Sequence, residues 1–433
     1  MKRCLLFFER ENISNFYPIS LSHTTAELRC GILNLGEKWR YRLKPEGVCY
    51  LARPELAAHI TANCGIDSNL LEANLFDQFV FIDPLYLPDD EITAHLVEEA
   101  STAALFVDGE PAVIVTDKRD ELISLLTKKL AAKERPDFAR LIGDAARQLP
   151  RNDAKLEHLD YLWDLVHANG RQIESDFQLL SGELNFSGMH HVSDIDSAVS
   201  LYNADDIYVD HDSQIDAQVV IDARGGPVYI GKETVIAPHT RIEGPAFVGD
   251  NCHLVGGKIR EGCSFGPHCR IGGEVEESIF QAYSNKYHDG FLGHAYIGEW
   301  VNLGALTTNS DLKNNYGNIK VELPGGLIDT RLNKVGSFIG DHTKTGIGTL
   351  LNTGMVIGFA SNVFGGGMIK RKSLPSFIWG STDGLVDYNV EKAIATARTV
   401  MSRRDRELSP ATEQLFRDIF AQTSTARLAV TGK

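Results

Sequence analysis

The side chains best suited to chemistry crowd into residues 283–316, which hold Asn285, Lys286, Tyr287, His288, Asp289, His294, Asn302, Asn315 and Tyr316. A histidine titrates near neutrality, so His288 is suited to take a proton from a nucleophile as it attacks, a contribution worth about 10²–10⁴-fold in rate. Lys286 is a candidate contact for a phosphate or carboxylate. No cysteine follows Cys269, which excludes an acyl-cysteine intermediate within this segment and leaves direct attack as the simpler route. Plainer readings compete: a loop histidine bonded to neighbouring backbone, and a solvated lysine. So does a zinc centre, since His288 and His294 are six residues apart and His253, His268 and His342 lie in the same region.

Something regular must hold these residues, and glycine shows what. Of the 39 glycines, 28 fall in residues 213–380, which sends the search to a fixed period. A six-residue step runs through Ile230, Ile236, Ile242, Val248 and Leu254, then Ile259, Phe265 and Ile271, then Phe291, Ile297 and Leu303, and finally Ile339, Thr345, Leu351, Ile357, Val363 and Ile369. That is the hexapeptide pattern of a parallel β-helix, with the periodic aliphatic filling a narrow interior and a small residue beside it at the corner. Residues 273–290 and 305–334 break the period and are expected to leave the coil as loops on a binding face.

The stretch from Ser284-Asn285-Lys286-Tyr287-His288-Asp289-Gly290 to Phe291-Leu292-Gly293-His294, with Gly298-Glu299-Trp300-Val301-Asn302-Leu303-Gly304-Ala305 after it, carries a resemblance. It resembles the acetyltransferase half of the bifunctional UDP-N-acetylglucosamine pyrophosphorylase/glucosamine-1-phosphate N-acetyltransferase family, and more closely an alternative bacterial branch. The first domain of that branch opens much like Ala26-Glu27-Leu28-Arg29-Cys30-Gly31-Ile32 and Glu37-Lys38-Trp39. It also carries a segment like Trp163-Asp164-Leu165-Val166, with Asn169 and Asp176-Phe177 beyond. The resemblance implies an α/β, Rossmann-like nucleotidyltransferase-like domain, a left-handed β-helix, a homotrimer with CoA between neighbouring helices, and acetyl transfer from acetyl-CoA to a sugar amine. It makes His288 the general base and places Lys286, Asn302, Ala305, Asn315, Tyr316 and Arg270 around the acyl acceptor and acetyl-CoA. Of two family arginines near this point only Arg270 remains; Gly272 stands where the second contacts the sugar phosphate, and a family lysine falls near Glu276. Lys313, Lys320 and Lys334 are candidate substitutes.

The N-terminal half reads as strands at Cys4–Phe8, Phe79–Ile82 and Ala112–Val115 alternating with helical patterns at 89–100, 120–132, 137–148 and 159–180, which suggests an α/β layer with a largely parallel sheet. Pro150–Asp153 reads as a connector. The expected division is 1–185 for this domain, 186–212 for a linker, 213–380 for the β-helix and 381–433 for a helical tail. Nucleotidyl transfer needs a phosphate cradle and usually Mg²⁺. The family's Gly-x-Gly-Thr-Arg loop is missing after the first strand, and in the branch's substitute segment His23 stands where an arginine should be. A mostly neutral imidazole cannot form the bidentate fork. Arg29 and Lys38, with His23, are the remaining candidates for nucleotide and sugar phosphate. Asp83, Asp164 and Asn169 are the candidates for Mg²⁺, against a turn aspartate for Asp83 and a helix C-cap for Asn169-Gly170.

A net charge of −15 argues against a nucleic-acid groove. No apolar run approaches a membrane span, and seven cysteines without a CxxC pair read as reduced thiols of a cytoplasmic protein. The expected partners are a nucleoside triphosphate, a sugar phosphate and acetyl-CoA, in a transferase of sugar-nucleotide synthesis forming UDP-N-acetylglucosamine. Its rivals are a chain with one active half, a non-catalytic sugar-nucleotide-binding regulator, and a zinc carbonic anhydrase of the hexapeptide type.

Overall fold

The computed structural model describes residues 2–69, 71–98, 102–117, 119–131, 137–184, 195–381 and 384–432. The first strand, β1 (Arg3–Phe8), is buried along its whole length. It lies between β2 (Gly47–Leu51) and β4 (Gln78–Ile82), with β3 (Asp67–Ser68) beyond β2, all parallel. The far side of the sheet departs from the expected pattern. β5 (Ala103–Val107) and β6 (Glu110–Asp117) form an antiparallel hairpin, and β6 pairs antiparallel with β4. The cause is local: Asp108 and Gly109 both take positive φ (51° and 86°), the tight turn that joins antiparallel neighbours. Arg151–Asp153, expected as a connector, is instead the edge strand β7 beside β5.

Helices α1 (Leu35–Leu43) and α2 (Pro54–Cys64) follow the first two strands, and α3 (Asp90–Glu98), α4 (Glu121–Ala131) and α5 (Phe138–Ala146) fall within the expected helical stretches. The long α6 (Leu162–Leu184) runs straight through Asn169 and Gly170, so these are not a C-cap.

The second part is a parallel β-helix, one face of which is a nine-strand ladder running from Ile207–Val209 to Ser373–Leu374. Ile230 lies beside Val248 and Val248 beside Phe265, so one coil takes 17 or 18 residues. Ile230, Ile236, Ile242, Val248 and Leu254 are fully buried in one apolar column, as the period requires. The coil begins inside the segment expected as a linker, because Ser200–Tyr202 and Ile207–Val209 already pair with the next turn; residues 185–194 lie outside the described residues. The expected break at 273–290 is not a break in the structure. Ile279–Phe280 and Asn285–Lys286 keep the parallel register, with Lys286 taking the place of an aliphatic between Ile271 and Leu303. The second interruption does leave the coil, as an antiparallel hairpin of Lys320–Leu323 and Gly326–Asp329 whose Val321 and Leu323 pack in one apolar cluster with Leu159 and Trp163 of the first domain.

The tail holds α7 (Val390–Ser402), α8 (Pro410–Gln422) and α9 (Ser424–Thr431). Ser409 caps α8, accepting from the Thr412 N–H, with Pro410 at its first turn. Leu415, Phe416 and Ile419 of α8 share one cluster with Leu56 and Ile60 of α2 and Phe359 and Phe377 of the solenoid, so the tail binds both parts together. No helix among the described residues is long and apolar enough to cross a membrane. Six cysteines are buried free thiols.

Candidate active site

His288 follows the short strand Asn285–Lys286 at a corner of the coil and is exposed. Its ring meets Tyr287 edge-on at 5.6 Å, and among the described residues no side chain hydrogen-bonds it. The Leu306 N–H donates to Asp289 O at 2.8 Å and the Leu303 N–H to Asn285 O at 2.8 Å, so Asn302 and Ala305 sit one coil from Asn285 and His288 on the same edge. The structure therefore brings His288, Asn302 and Ala305 together. Arg270, Asn285, Asn302 and Lys344 stack in one outward column.

Lys286 is placed differently from the expectation. It is 1% exposed, and its ammonium turns inward to donate to the backbone oxygens of His288 and Gly272. Burial pushes it down to about 8, with Asp289 opposing. It braces the corner that carries His288 and does not reach out to an anion. Asn315 and Tyr316 stand on the excursion, with Tyr316 70% exposed. Asn315 Oδ1 accepts from the Gly317 N–H. Among the substitutes, Lys334 pairs with Glu276 at 3.2 Å.

The zinc alternative has no support in the geometry. His294 Nδ1 faces Asp311 at 2.8 Å and Nε2 faces Glu277 at 3.1 Å, and these carboxylates overcome burial to hold it at about 9. Among the described residues no three His, Cys, Asp or Glu side chains are placed to share a metal ion.

The first-domain candidates are spent on holding the molecule together. Lys38 is fully buried with its ammonium 2.7 Å from both oxygens of Asp176, which also accepts the Ile32 and Leu33 N–H groups. Glu37, before it, closes a capping box with Asn34, and Trp39 Nε1, after it, donates to Tyr86 O. Arg29 donates from its side chain to Ile32 O and lies over the Phe247 ring of the solenoid, while its N–H donates to Tyr296 Oη at 2.9 Å. His23 Nε2 lies 2.8 Å from Asp341 of the solenoid, and that carboxylate overcomes the burial that would push the imidazolium down, so it stands at about 10. Lys38 and Arg29 are taken up by these internal contacts, whereas His23 lies at the wall of a cavity that Glu27, Glu299 and Asp341 also line.

The Mg²⁺ set does not fit either. Arg10 Nε lies 2.6 Å from Asp83 Oδ2, so a guanidinium fills the place of a cation. Asp164 Oδ2 accepts the Asp160 and Tyr161 N–H groups before α6. Asn169 is fully buried, accepting from the Gly31 N–H and from Ser264 Oγ of the solenoid and donating to Gly262 O. The three residues serve three separate structural tasks.

The sequence reading missed Lys344, Arg403 and Arg404, which wall a cavity with Arg270 and Asn302. The signal was present as basic residues ending the first tail helix, a pattern that also suits a helix C-terminus.

Residues 5–184 match the family model described as sugar nucleotidyl transferase. The bifunctional sugar-1-phosphate nucleotidylyltransferase/acetyltransferase of Sulfurisphaera tokodaii is 34% identical over 98 residues, 23% of this chain and 24% of that one. The bifunctional protein GlmU of Rippkaea orientalis is 30% identical over 170 residues, 34% of each. An uncharacterized acetyltransferase, YaiX, of Escherichia coli is 29% identical over 166 residues, 38% of this chain and 72% of that one. The matches span only a quarter to a third of the first two relatives. Fold and matches together define a sugar nucleotidyl transferase-type domain joined to a hexapeptide-repeat β-helix.

Proposed function

We propose that the solenoid transfers acetyl from acetyl-CoA to the amine of an amino sugar, with His288 as general base. The observation that carries this reading is an exposed imidazole without a side-chain partner, one coil from Asn302 and Ala305 and braced by the buried Lys286. The imidazole takes the proton as the amine nitrogen bonds to the thioester carbon; the carbon–sulfur bond then breaks and the CoA sulfur leaves with the electron pair. Backbone N–H groups are the ordinary donors for the oxyanion between the two steps.

The working form in this proposal is a homotrimer. Its support is a run of exposed apolar side chains on successive coils of the His288 edge: Leu306 and Ile347, 55% and 72% exposed, with Leu350 and Met368 beyond. Repeated apolar contacts of this kind suit closed rotational symmetry. Light scattering that returned a monomer at micromolar concentration would count against it.

For the first domain the family match supports sugar nucleotidyl transfer, and the product in this proposal is UDP-N-acetylglucosamine. A second reading, a first domain that docks and binds without turnover, is favoured by the engagement of Lys38, His23 and Asp83 in internal pairs. One experiment separates them: pyrophosphate release screened across nucleoside triphosphates and sugar phosphates, with acetyl-CoA consumption followed in parallel. Acetyl-CoA consumed without pyrophosphate release selects the second reading; release with no acetyl-CoA consumed overturns the acetyltransferase proposal.

A further inference from the structure

The tail crosses the solenoid beside the aromatic ladder of Tyr283 and Trp300, whose rings stack at 4.2 Å. Between tail and coil lies a cavity of about 400 Å³ walled by Arg270, Lys344, Arg403 and Arg404, with the amides of Asn285 and Asn302. Among the described residues none of these four cations has a carboxylate within ion-pair distance, in a chain that carries a net charge of −15. Arginines elsewhere do find partners: Arg224 pairs with Asp222 and Arg417 with Glu391. Arg404 is held in place, donating to Asn285 Oδ1 at 2.9 Å and to His268 O at 3.4 Å. Lys344 donates to His342 O at 2.8 Å, and burial pushes its ammonium down to about 8. Burial, and then the nearby Arg270, push the Arg404 guanidinium down as well. Like charges fixed side by side in a partly dry site are unfavourable until an anion sits among them.

We propose that this cavity binds the phosphate or diphosphate group of a ligand, with Arg403 and Arg404 of the tail closing the site over Arg270 and Lys344. Guanidinium forks match the oxygens of such a group, and the two amides can orient either donor or acceptor toward it. The site is a binding site in its own right, and its existence does not require the solenoid to transfer acetyl. The ligand phosphate could come from a sugar phosphate, a nucleoside diphosphate or the adenine nucleotide end of CoA.

Isothermal titration of the full chain with inorganic pyrophosphate, glucosamine 1-phosphate, UDP and ADP tests this and tells the sources apart by which binds tightest. Saturable binding that weakens at high salt is expected. Arg403→Ala and Arg404→Ala should each weaken it by about tenfold, the loss of one charge-assisted contact, while Lys128→Ala on α4 leaves it unchanged. Arg403 is exposed, so its removal should leave thermal melting in place. Absence of saturable binding for all four probes, or wild-type binding by the Arg403→Ala/Arg404→Ala double variant, overturns the proposal.

Discussion

The His288 edge of the solenoid and the motif-bearing face of the first domain both carry family-like motifs in the sequence, yet they use their polar residues in opposite ways. On the solenoid the polar residues face outward. His288 is open to solvent, and the column of Arg270, Asn302 and Lys344 is free of carboxylates. In the first domain they face inward. His23, the segment Ala26–Ile32, α1 and α6 spend their hydrogen-bonding groups on one another and on Ser264, Gln281, Tyr296 and Asp341 of the solenoid. A motif marks residues that cannot change freely, and a buried network imposes that constraint as strictly as a substrate does.

The largest effect expected from this contrast is at His288. His288→Ala should lower kcat for acetyl transfer by about 10²–10⁴-fold with KM nearly unchanged, as for a lost general base. Any pyrophosphate release by the first domain should persist in the same variant. Wild-type acetyl transfer by His288→Ala would refute the role.

The opposite outcome is expected at Asp176. Asp176→Ala leaves the Lys38 ammonium fully buried without its partner and strands two N–H groups, so it should cost about 3–5 kcal/mol in urea unfolding. Loss of nucleotide binding with unfolding unchanged would return Lys38 and Asp176 to a substrate site.

These two positions also show what could be read without coordinates. The six-residue period named the buried column at each of its positions except Phe291, where Leu292, beside Val275, takes the interior place. It failed at Lys286, where a lysine long enough to reach backbone oxygens replaces an aliphatic, so a continuous coil looked interrupted. The antiparallel hairpin was signalled by Asp108-Gly109 and passed over. The inward role of Lys38, Arg29 and His23 could not be read, since each depends on a partner more than 100 residues away or on another domain.

A smaller effect is expected at Gly31, the hinge of that inward face. Its φ of +95° favours glycine, and an added Cβ would collide with Asp176 Oδ2 and the Gln172 backbone. Gly31→Ala should destabilise by about 1–3 kcal/mol, the usual range for such strain. An unchanged melting temperature would show that the loop and Asp176 can move apart at no cost.

A pH dependence is expected at the join of the two parts. His23 is 5% exposed and stands at about 10, above the ordinary ~6.5 of a free imidazole. Burial opposes the charge, but Asp341, Glu299 and Glu27 face it and together prevail. A base whose folded pKa is raised binds its proton more tightly in the folded state. Its contribution is complete below about 6.5 and is lost as pH climbs toward about 10. His342, in the same cluster, is held at about 3 by burial and works in the other direction, losing stability as pH falls below the ordinary value. The difference between wild type and His23→Ala reports His23 together with the hold it has on Asp341, Glu299 and His342. The gap in melting temperature should be widest at pH 6, narrower at pH 8 and nearly closed at pH 10. A gap that stays constant across that range would mean that His23 meets Asp341 as a neutral imidazole, and that the first domain is held to the solenoid by packing and neutral hydrogen bonds instead of by a buried charge.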